Sequence, residues 1–363
     1  MDVLERLSAS SELCGRRTIH TFCVAPLEAI PRYEDQGAGN APSHALWPGR
    51  HPADPTWRRS SFTSLVGHDD ADQALFSGTA GDVVPLDAFP RGPRAGLALH
   101  RLFERLARAY GFADLTPPLI REEVSRILSD FGSDFVEPVS DMVQQVIATP
   151  LDNGPRLSQV ACGDCLPELP FVLPARGGFA PSGEPISPEA LATAFSGGDD
   201  LPLAYDESLK QLPFPAFRGF LSGVMDLVFR WRGKYYLVDY KSNFLTSSPD
   251  AQHSTYGDYA PQALLQVMAK EHYVLQYHLY CLALHRFLSH RLGHAYDYDR
   301  DFGGVFYLFL RGIRPDGQTG VFATRPPLGR IRALSALFGE VRPLGPKGPC
   351  GVDGNHPYTS CNH

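Results

Sequence analysis

One stretch, residues 223–243, constrains the fold of this 363-residue chain more than any other. It reads GVMDLVFRWRGKYYLVDYKSN, with two runs rich in Val, Leu, Phe, Tyr and Trp on either side of Arg232-Gly233. Two such runs around a two-residue loop that contains Gly are typical of a β-hairpin. The stretch therefore predicts two antiparallel strands, 224–231 and 234–241, joined by a tight turn.

The turn also fixes which residues of the two strands face each other. If Trp231 faces Lys234, the same register places Asp226 directly opposite Asp239 on one face of the hairpin. Opposed Cβ atoms are about 5 Å apart, and like charges at that distance repel each other. Because strand side chains alternate, Lys241 shares the face of Asp239. The hairpin therefore predicts two carboxylates and an ammonium group at its open end.

Two acids beside a lysine suit a divalent cation, because carboxylate oxygens favour Mg²⁺ or Mn²⁺ over softer metals. The alternative is a half-exposed hairpin in which Asp239 and Lys241 form a surface ion pair and Asp226 bonds to backbone or caps an element. The matched register of all three residues favours the metal site, since the two carboxylates need a compensating positive charge.

The same residues carry a resemblance to a known family. Asp226, Asp239 and Lys241 fit the D…(D/E)xK signature of the PD-(D/E)xK nuclease superfamily, and the hairpin resembles the nuclease domain of the exonuclease V beta chain (RecB) of bacterial RecBCD enzymes. Four further segments resemble that family in the same order: FPRGPRAGLALHRLFERL (89–106), YVLQYHLYCLALHRFL (273–288), YDYDRDFGGVFYLFLRGI (296–313) and ATRPPLGRI (323–331). The resemblance implies an α/β fold with a restriction-endonuclease-like core, in which helices flank a mixed central sheet.

The resemblance also implies a metal site. Its expected ligands are His100, Asp226, Asp239 and the backbone carbonyl of Tyr240. The expected ion is Mg²⁺, with Mn²⁺ or Ca²⁺ able to use the same site. Without the resemblance, a single histidine on an amphipathic helix is more often a packing or surface residue. Glu104 lies one turn after His100 on the same helix face and is a candidate substitute ligand.

The catalytic residues that the resemblance implies are Asp226, Asp239, Lys241, Gln276 and Tyr280. Lys241 would position the attacking water and stabilise the charge that grows on the phosphate. Gln276 and Tyr280 form a QxxxY pattern that places an amide and a phenol on one helix face, where they would orient the substrate. The QxxxY pattern alone is weak evidence, because it also arises by coincidence.

Composition limits how the chain could bind DNA. With 43% hydrophobic and 20% charged residues the chain is globular, and its formal net charge of −7 argues against binding nucleic acid through an overall positive field. DNA contacts must then come from a local basic surface. The candidates are Arg91, Arg94, Arg101, Arg105 and Arg108, with Arg218 as a further phosphate contact.

The chain is expected to have three parts: an irregular N-terminal segment or tether (1–88), a RecB-like nuclease domain (89–341) and a disordered tail (342–363). The domain is expected to contain helices at 94–110, 118–131, 134–149, 188–195, 260–293 and 327–341, and further strands at 168–173, 302–312 and 320–323. No GxxxxGK[ST] phosphate loop occurs in the sequence, so no ATP site is expected here. The resemblance implies RecC-like and RecD-like partner subunits.

No run of about 18 apolar residues and no signal-peptide pattern occurs, so a cytoplasmic protein without a membrane span is expected. Cys162 and Cys165 have metal-like spacing, but a structural metal site needs about four ligands. The predicted function is a Mg²⁺-dependent DNA nuclease, the nuclease part of a RecBCD-type exonuclease V in double-strand-break repair and recombination. The alternatives are a catalytically silent module that binds DNA or a helicase, and a hydrolase of small phosphate esters.

Overall fold

The computed structural model describes residues 56–67, 74–75, 81–152, 154–175, 184–197, 200–248 and 250–339, all within one unit. The strands are β1 (Trp57–Ser61), β2 (Ala74–Leu75), β3 (Cys165–Pro174), β4 (Arg218–Trp231), β5 (Lys234–Lys241), β6 (Leu245–Thr246), β7 (Phe302–Phe309) and β8 (Val321–Thr324). The α-helices are α1 (Phe62–Val66), α2 (Pro93–Ala109), α3 (Pro117–Ile127), α4 (Val136–Ala148), α5 (Pro188–Phe195), α6 (Tyr205–Leu209), α7 (Pro261–Lys270), α8 (Tyr273–Leu292), α9 (Tyr298–Asp301) and α10 (Leu328–Ser335).

Six strands form one mixed sheet around the long strand β4. β5 pairs antiparallel with β4 and parallel with β7, and β8 closes that side antiparallel to β7. On β4 itself, β1 pairs in parallel and β3 antiparallel. The parallel pair of β5 and β7 needs a long crossover, and helices α7 and α8 lie within it.

Both faces of the sheet are buried along β7, which explains the nearly continuous apolar sequence of that strand. Val305, Tyr307 and Phe309 belong to a core cluster shared with α5, α7 and α8, whereas Phe306 and Leu308 belong to one shared with α2, α3 and α4. The alternation follows from the period of two in a strand. The predicted α/β fold, a mixed central sheet with helices on both sides, is confirmed.

Most predicted elements are present with ends that differ by up to a few residues, and the largest difference lies in the long helical stretch. Helix α5 has the predicted bounds, and Trp231 faces Lys234 as the turn predicted. The pattern at 260–293 predicted continuous helix, but α7 ends at Lys270 and α8 begins at Tyr273. His272 between them has a left-handed backbone with φ 53°. A left-handed residue ends a helix, so this single conformation divides the pattern.

The sheet begins earlier in the chain than the predicted domain start at 89. Residues 58–66, within the segment that was expected to be irregular, lie in β1 and α1, and β1 pairs with β4. Most of 1–88 and all of 342–363 lie outside the described residues, so both domain boundaries stay predictions. Within the described part of the chain, every helix is too short or too polar to cross a membrane.

Candidate active site at a fork in the sheet

The predicted acids lie where one edge of β4 changes partner. β3 runs along one edge of β4, so β1 and β5 share the other edge: β1 pairs with Arg218 to Ser222, and β5 pairs from Leu227 onward. The residues in between border an opening, and Asp226 is the last of them. The β4–β5 ladder ends at the pair of Leu227 and Val238, one position before the predicted opposition of Asp226 and Asp239.

The strand alternation shifts at this opening. Met225 packs into the core cluster on one side of the sheet, whereas Leu227 packs into the cluster on the other side. Asp226 therefore lies at an irregularity of β4. Its β3 neighbour in the same register is Glu168, which has a left-handed backbone with φ 53°. Such a conformation costs a non-glycine residue roughly 1–2 kcal/mol, and such strain is concentrated at functional sites.

Glu168 is a site residue that the sequence analysis missed. Burial, together with the negative charges of Asp226 and Glu104, raises the pKa of the Glu168 carboxyl. Its left-handed conformation could not be predicted from the strand sequence CLPELPFVLP. The one available signal was a single acid inside an otherwise apolar strand.

Helix α2 brings His100 to the opening. The helix begins with Pro93 after Gly92, and His100 Nδ1 lies 3.3 Å from Asp226 Oδ2. The helix can approach closely because Gly96 has no side chain: a Cβ there would lie 2.8 Å from Ser242 Oγ. Burial lowers the pKa of His100, but the hydrogen bond and charge of Asp226 outweigh it, and the net pKa is raised.

Asp239 and Lys241 form a buried ion pair, with 2.7 Å between Asp239 Oδ2 and Lys241 Nζ. Burial raises the pKa of Asp239 to about 6, against the lowering effect of the Lys241 charge. The side chains are only 3% and 13% exposed, so the alternative of a surface pair is wrong. Asp226 does bond to backbone as that alternative expected, since its Oδ2 accepts a 2.9 Å hydrogen bond from the N–H of Tyr240.

The predicted Gln276 and Tyr280 join this group from helix α8. Gln276 Oε1 accepts hydrogen bonds from Lys241 Nζ at 3.1 Å and from the Tyr307 hydroxyl at 2.9 Å. Gln276 Nε2 donates to the Tyr280 hydroxyl at 3.1 Å. Tyr273 adds its ring, whose centroid lies 4.2 Å from Lys241 Nζ. Lys241 is therefore held by an acid, an amide and an aromatic ring.

Tyr307 is a second contributor that the sequence analysis did not single out. It lies beside Asp239 in the parallel register of β5 and β7. In the sequence it is one of several aromatic residues in FGGVFYLFLRG, where it resembles any core residue. Only the sheet order places its hydroxyl at Gln276.

The buried Arg311 fastens the loops on which the site depends. Its guanidinium donates to the carbonyl oxygens of Leu86, Phe89 and Pro90, which precede α2, and to that of Ser242, which follows Lys241. One side chain therefore connects the segment before the His100 helix with the end of β5.

The proposed basic surface of α2 is largely neutralised. Arg94, Arg105 and Arg108 pair with Asp130, Glu123 and Glu104 respectively. The guanidinium of Arg91 stacks on the ring of Phe244, with 3.3 Å to the ring centroid. Arg101 is exposed, and Arg218 begins β4 at the end far from Asp226. A role for these arginines in binding DNA stays a prediction.

His278, Cys162 and Cys165 also carry side chains of the types that can bind a metal. His278 is buried, and its Nδ1 lies 2.8 Å from the carbonyl oxygen of Val274. Cys162 Sγ lies 3.7 Å from the carbonyl oxygen of Arg108, and burial raises the pKa of the Cys165 thiol to about 12. The more distant Cys350 and Cys361 lie outside the described residues.

The donor atoms at this site suit a divalent cation, but their arrangement differs from that of a metal-binding cluster. Asp226, Asp239 and Glu168 supply oxygen donors and His100 a nitrogen, a set that suits Mg²⁺ or Mn²⁺. The raised pKa values of Asp239 and Glu168 indicate a surplus of negative charge that a cation would offset. Yet among the described residues no three His, Cys, Asp or Glu side chains converge as a metal-binding cluster. The ligand assignment stays a prediction.

Comparison with curated proteins finds bacterial subunits of one kind. The chain is 42% identical over 253 residues to the RecBCD enzyme subunit RecB of Haemophilus influenzae, which covers 69% of this chain. It is 36% identical over 307 residues to RecB of Escherichia coli and 30% identical over 336 residues to RecB of Mycobacterium tuberculosis, each covering 80% of this chain.

The chain spans only part of those relatives: 19%, 24% and 29% of their respective lengths. No protein-family model matches the chain. The similarity therefore concerns one region of a much longer subunit.

Proposed function

Because the chain carries a RecB-type region, we propose that it is a metal-dependent deoxyribonuclease that hydrolyses DNA phosphodiesters. The observation that carries the proposal is the convergence of Asp226, Asp239, Lys241 and Gln276 at the fork in the sheet. Buried acids beside a buried ammonium group cost stability, and a fold retains such a group most readily where chemistry needs it.

Each residue has a distinct proposed role. Asp226, Asp239, His100 and the carbonyl of Tyr240 would hold Mg²⁺, with Glu168 as an additional acid. When bound, the ion would polarise the phosphate and lower the pKa of a water molecule. Mn²⁺ or Ca²⁺ could take the same site.

The remaining proposed roles, which are charge stabilisation and orientation of the substrate, belong to side chains of this chain. Lys241, fixed by Asp239 and Gln276, would place its ammonium group where negative charge grows on the phosphate. Tyr280 and Gln276 would orient the substrate strand. His100 must exchange its Asp226 contact for a ligand role, so metal binding should release a proton.

The relatives' name places RecB within a RecBCD enzyme. We extend that setting to this chain: exonuclease or endonuclease action on DNA during double-strand-break repair and recombination, with RecC-like and RecD-like subunits as partners. The ATP-driven motor would lie outside this chain.

The test is release of acid-soluble nucleotides from linear DNA by the purified chain, in Mg²⁺ and in EDTA, beside Asp239→Ala. The proposal expects release by the wild type in Mg²⁺ alone and almost none by the variant. Equal release by both proteins would refute it. DNA binding without any cleavage would favour the silent module, and the observation that supports that module is that no three-ligand cluster forms among the described residues. Cleavage of a chromogenic phosphate monoester without DNA binding would favour a small-ester hydrolase.

A further inference from the structure

A strip of side chains, four of them exposed, extends along the sheet from β1 toward the acids. Trp57 and Phe220 make an edge-to-face contact with 5.8 Å between ring centroids, and Arg59 Nε donates to Ser222 Oγ at 2.8 Å. Val172 pairs with Ser222, and Val224 is the next β4 residue on the same face. We name Trp57, Arg59, Phe220, Ser222, Val172 and Val224 the β1–β4 strip.

Four of the six side chains of the strip are exposed to solvent, whereas Phe220 is half-buried and Ser222 is buried, and most of the strip is apolar. Trp57, Val172 and Val224 are 44%, 53% and 40% exposed. Large apolar side chains grouped on a surface indicate a binding site more often than isolated ones do. Along β4, Val224 lies two residues before Asp226, so the strip ends at the opening where the alternation shifts and the proposed active site begins.

The charge of the strip complements a nucleic-acid backbone. Arg94, Arg105 and Arg108 on α2 each pair with a carboxylate, whereas no carboxylate in the described part of the chain pairs with Arg59. The guanidinium of Arg59 donates to the neutral hydroxyl of Ser222, so its positive charge is not offset. A phosphate is a natural ligand for such a guanidinium.

We propose that the β1–β4 strip binds an unpaired DNA strand and guides it to the acids, a proposal that rests on the proposed nuclease function. Bases would stack on Trp57 and pack on Val172 and Val224, while a phosphate contacts Arg59. Asp226 lies six positions after Phe220 in β4, or about 20 Å, which admits only a few nucleotides. Aromatic side chains beside a basic group are the usual means of binding single strands, because stacking needs exposed base faces.

The test measures binding apart from cleavage. Fluorescence anisotropy of a labelled oligo-dT 12-mer is followed in EDTA with the full chain, and a duplex of the same length is measured in parallel. Trp57→Ala should weaken single-strand binding about 10-fold, whereas Trp57→Phe, which keeps a stacking ring, should stay within about 3-fold of the wild type. Arg59→Gln should reduce the slope of log affinity against log salt by about 0.7.

Two control variants lie away from the strip. Leu265 on α7 is as exposed as Trp57, and Arg232 lies in the hairpin turn. Leu265→Ala and Arg232→Gln should each bind within 2-fold of the wild type. Thermal unfolding of Trp57→Ala and Trp57→Phe shows whether β1 stays folded. If Trp57→Ala unfolds, the proposal is tested instead by the slope of log affinity against log salt for Arg59→Gln.

The strip proposal is overturned if folded Trp57→Ala and Arg59→Gln bind the 12-mer as the wild type does, or if the duplex binds more tightly than the single strand. Its failure is distinguishable from failure of the nuclease function. A wild type that cuts no DNA in Mg²⁺ removes the nuclease proposal but leaves the binding comparison in EDTA readable. Conversely, cleavage that Lys241→Ala abolishes, with no effect of the strip variants on binding or cleavage, removes the strip alone.

Discussion

At its turn, the β4–β5 hairpin keeps regular pairing from Leu227 to Trp231, whereas at its open end the strands separate and the alternation of β4 shifts. Each end has a left-handed non-glycine residue. Arg232 lies in the exposed turn, where such a conformation is routine, and Glu168 lies beside Asp226, inside a strand. The regular end therefore fixes the register of the two strands. The irregular end holds charged groups that lower the stability of the folded protein.

Lys241 and Lys234 give the sharpest test of this difference, because they are the two ends of β5. Lys241→Ala should lower the rate of DNA cleavage in Mg²⁺ by ~10²–10³, since it removes the positive charge at the phosphate. Lys234→Ala, exposed at the turn, should change the rate less than 2-fold. Equal effects would mean that the open end has no special role in the reaction.

Asp239 should make the open end sensitive to pH. The pKa is raised from 3.8 in the unfolded chain to about 6 in the folded protein, so the folded state binds the proton more tightly between these values. The free energy of unfolding of the wild type should therefore fall by at most about 3 kcal/mol as pH rises from 4 to 6.

Asp239→Asn removes this titration, so denaturant unfolding at several pH values should show the variant gaining on the wild type as pH rises. Parallel curves for the two proteins would contradict a raised pKa of the buried Asp239.

Glu168→Gly tests the backbone strain at residue 168 separately from the role of its carboxylate in DNA cleavage. Glycine adopts the left-handed conformation freely, so the variant should gain roughly 0.5–1 kcal/mol in free energy of unfolding, measured with urea. Loss of the carboxylate should lower the cleavage rate about 10- to 100-fold. Arg232→Gly should gain similar stability and keep full activity. A Glu168→Gly protein that cleaves normally would exclude Glu168 from the site.

Tyr307→Phe has the smallest expected effect. It removes one of two hydrogen bonds to Gln276 Oε1 but keeps the ring, so Lys241 is held less firmly. A loss of about 1 kcal/mol corresponds to roughly a 5-fold lower cleavage rate. Tyr235→Phe, near the turn of the same sheet, is the control. Kinetics with saturating DNA would show the difference, and identical rates would limit Tyr307 to packing.

The hairpin was predictable because local rules agree there: turn chemistry, β-propensity and alternation all point to one register. His100, Gln276 and Tyr280 were found through resemblance alone, since a single histidine or a QxxxY pattern is ambiguous in one sequence. Glu168 and Tyr307 were not found. Their positions depend on a left-handed residue within a strand and on the order of β5 and β7, and both are set by tertiary packing.

The helix break at His272 was missed for a similar reason. Helical periodicity continues on both sides of it, and a left-handed histidine leaves no mark on the hydrophobic pattern. Its consequence concerns the site, because α8 then begins at Tyr273, whose ring contacts Lys241.

The central claim is that the acids at the fork bind a divalent cation, and isothermal titration of the full chain with Mn²⁺ tests it most directly. We expect binding with about one ion or two per chain, accompanied by proton release, and loss of that binding in both Asp226→Ala and Asp239→Ala folded proteins. A wild type that takes up no Mn²⁺, or alanine variants that bind it as the wild type does, would contradict the account.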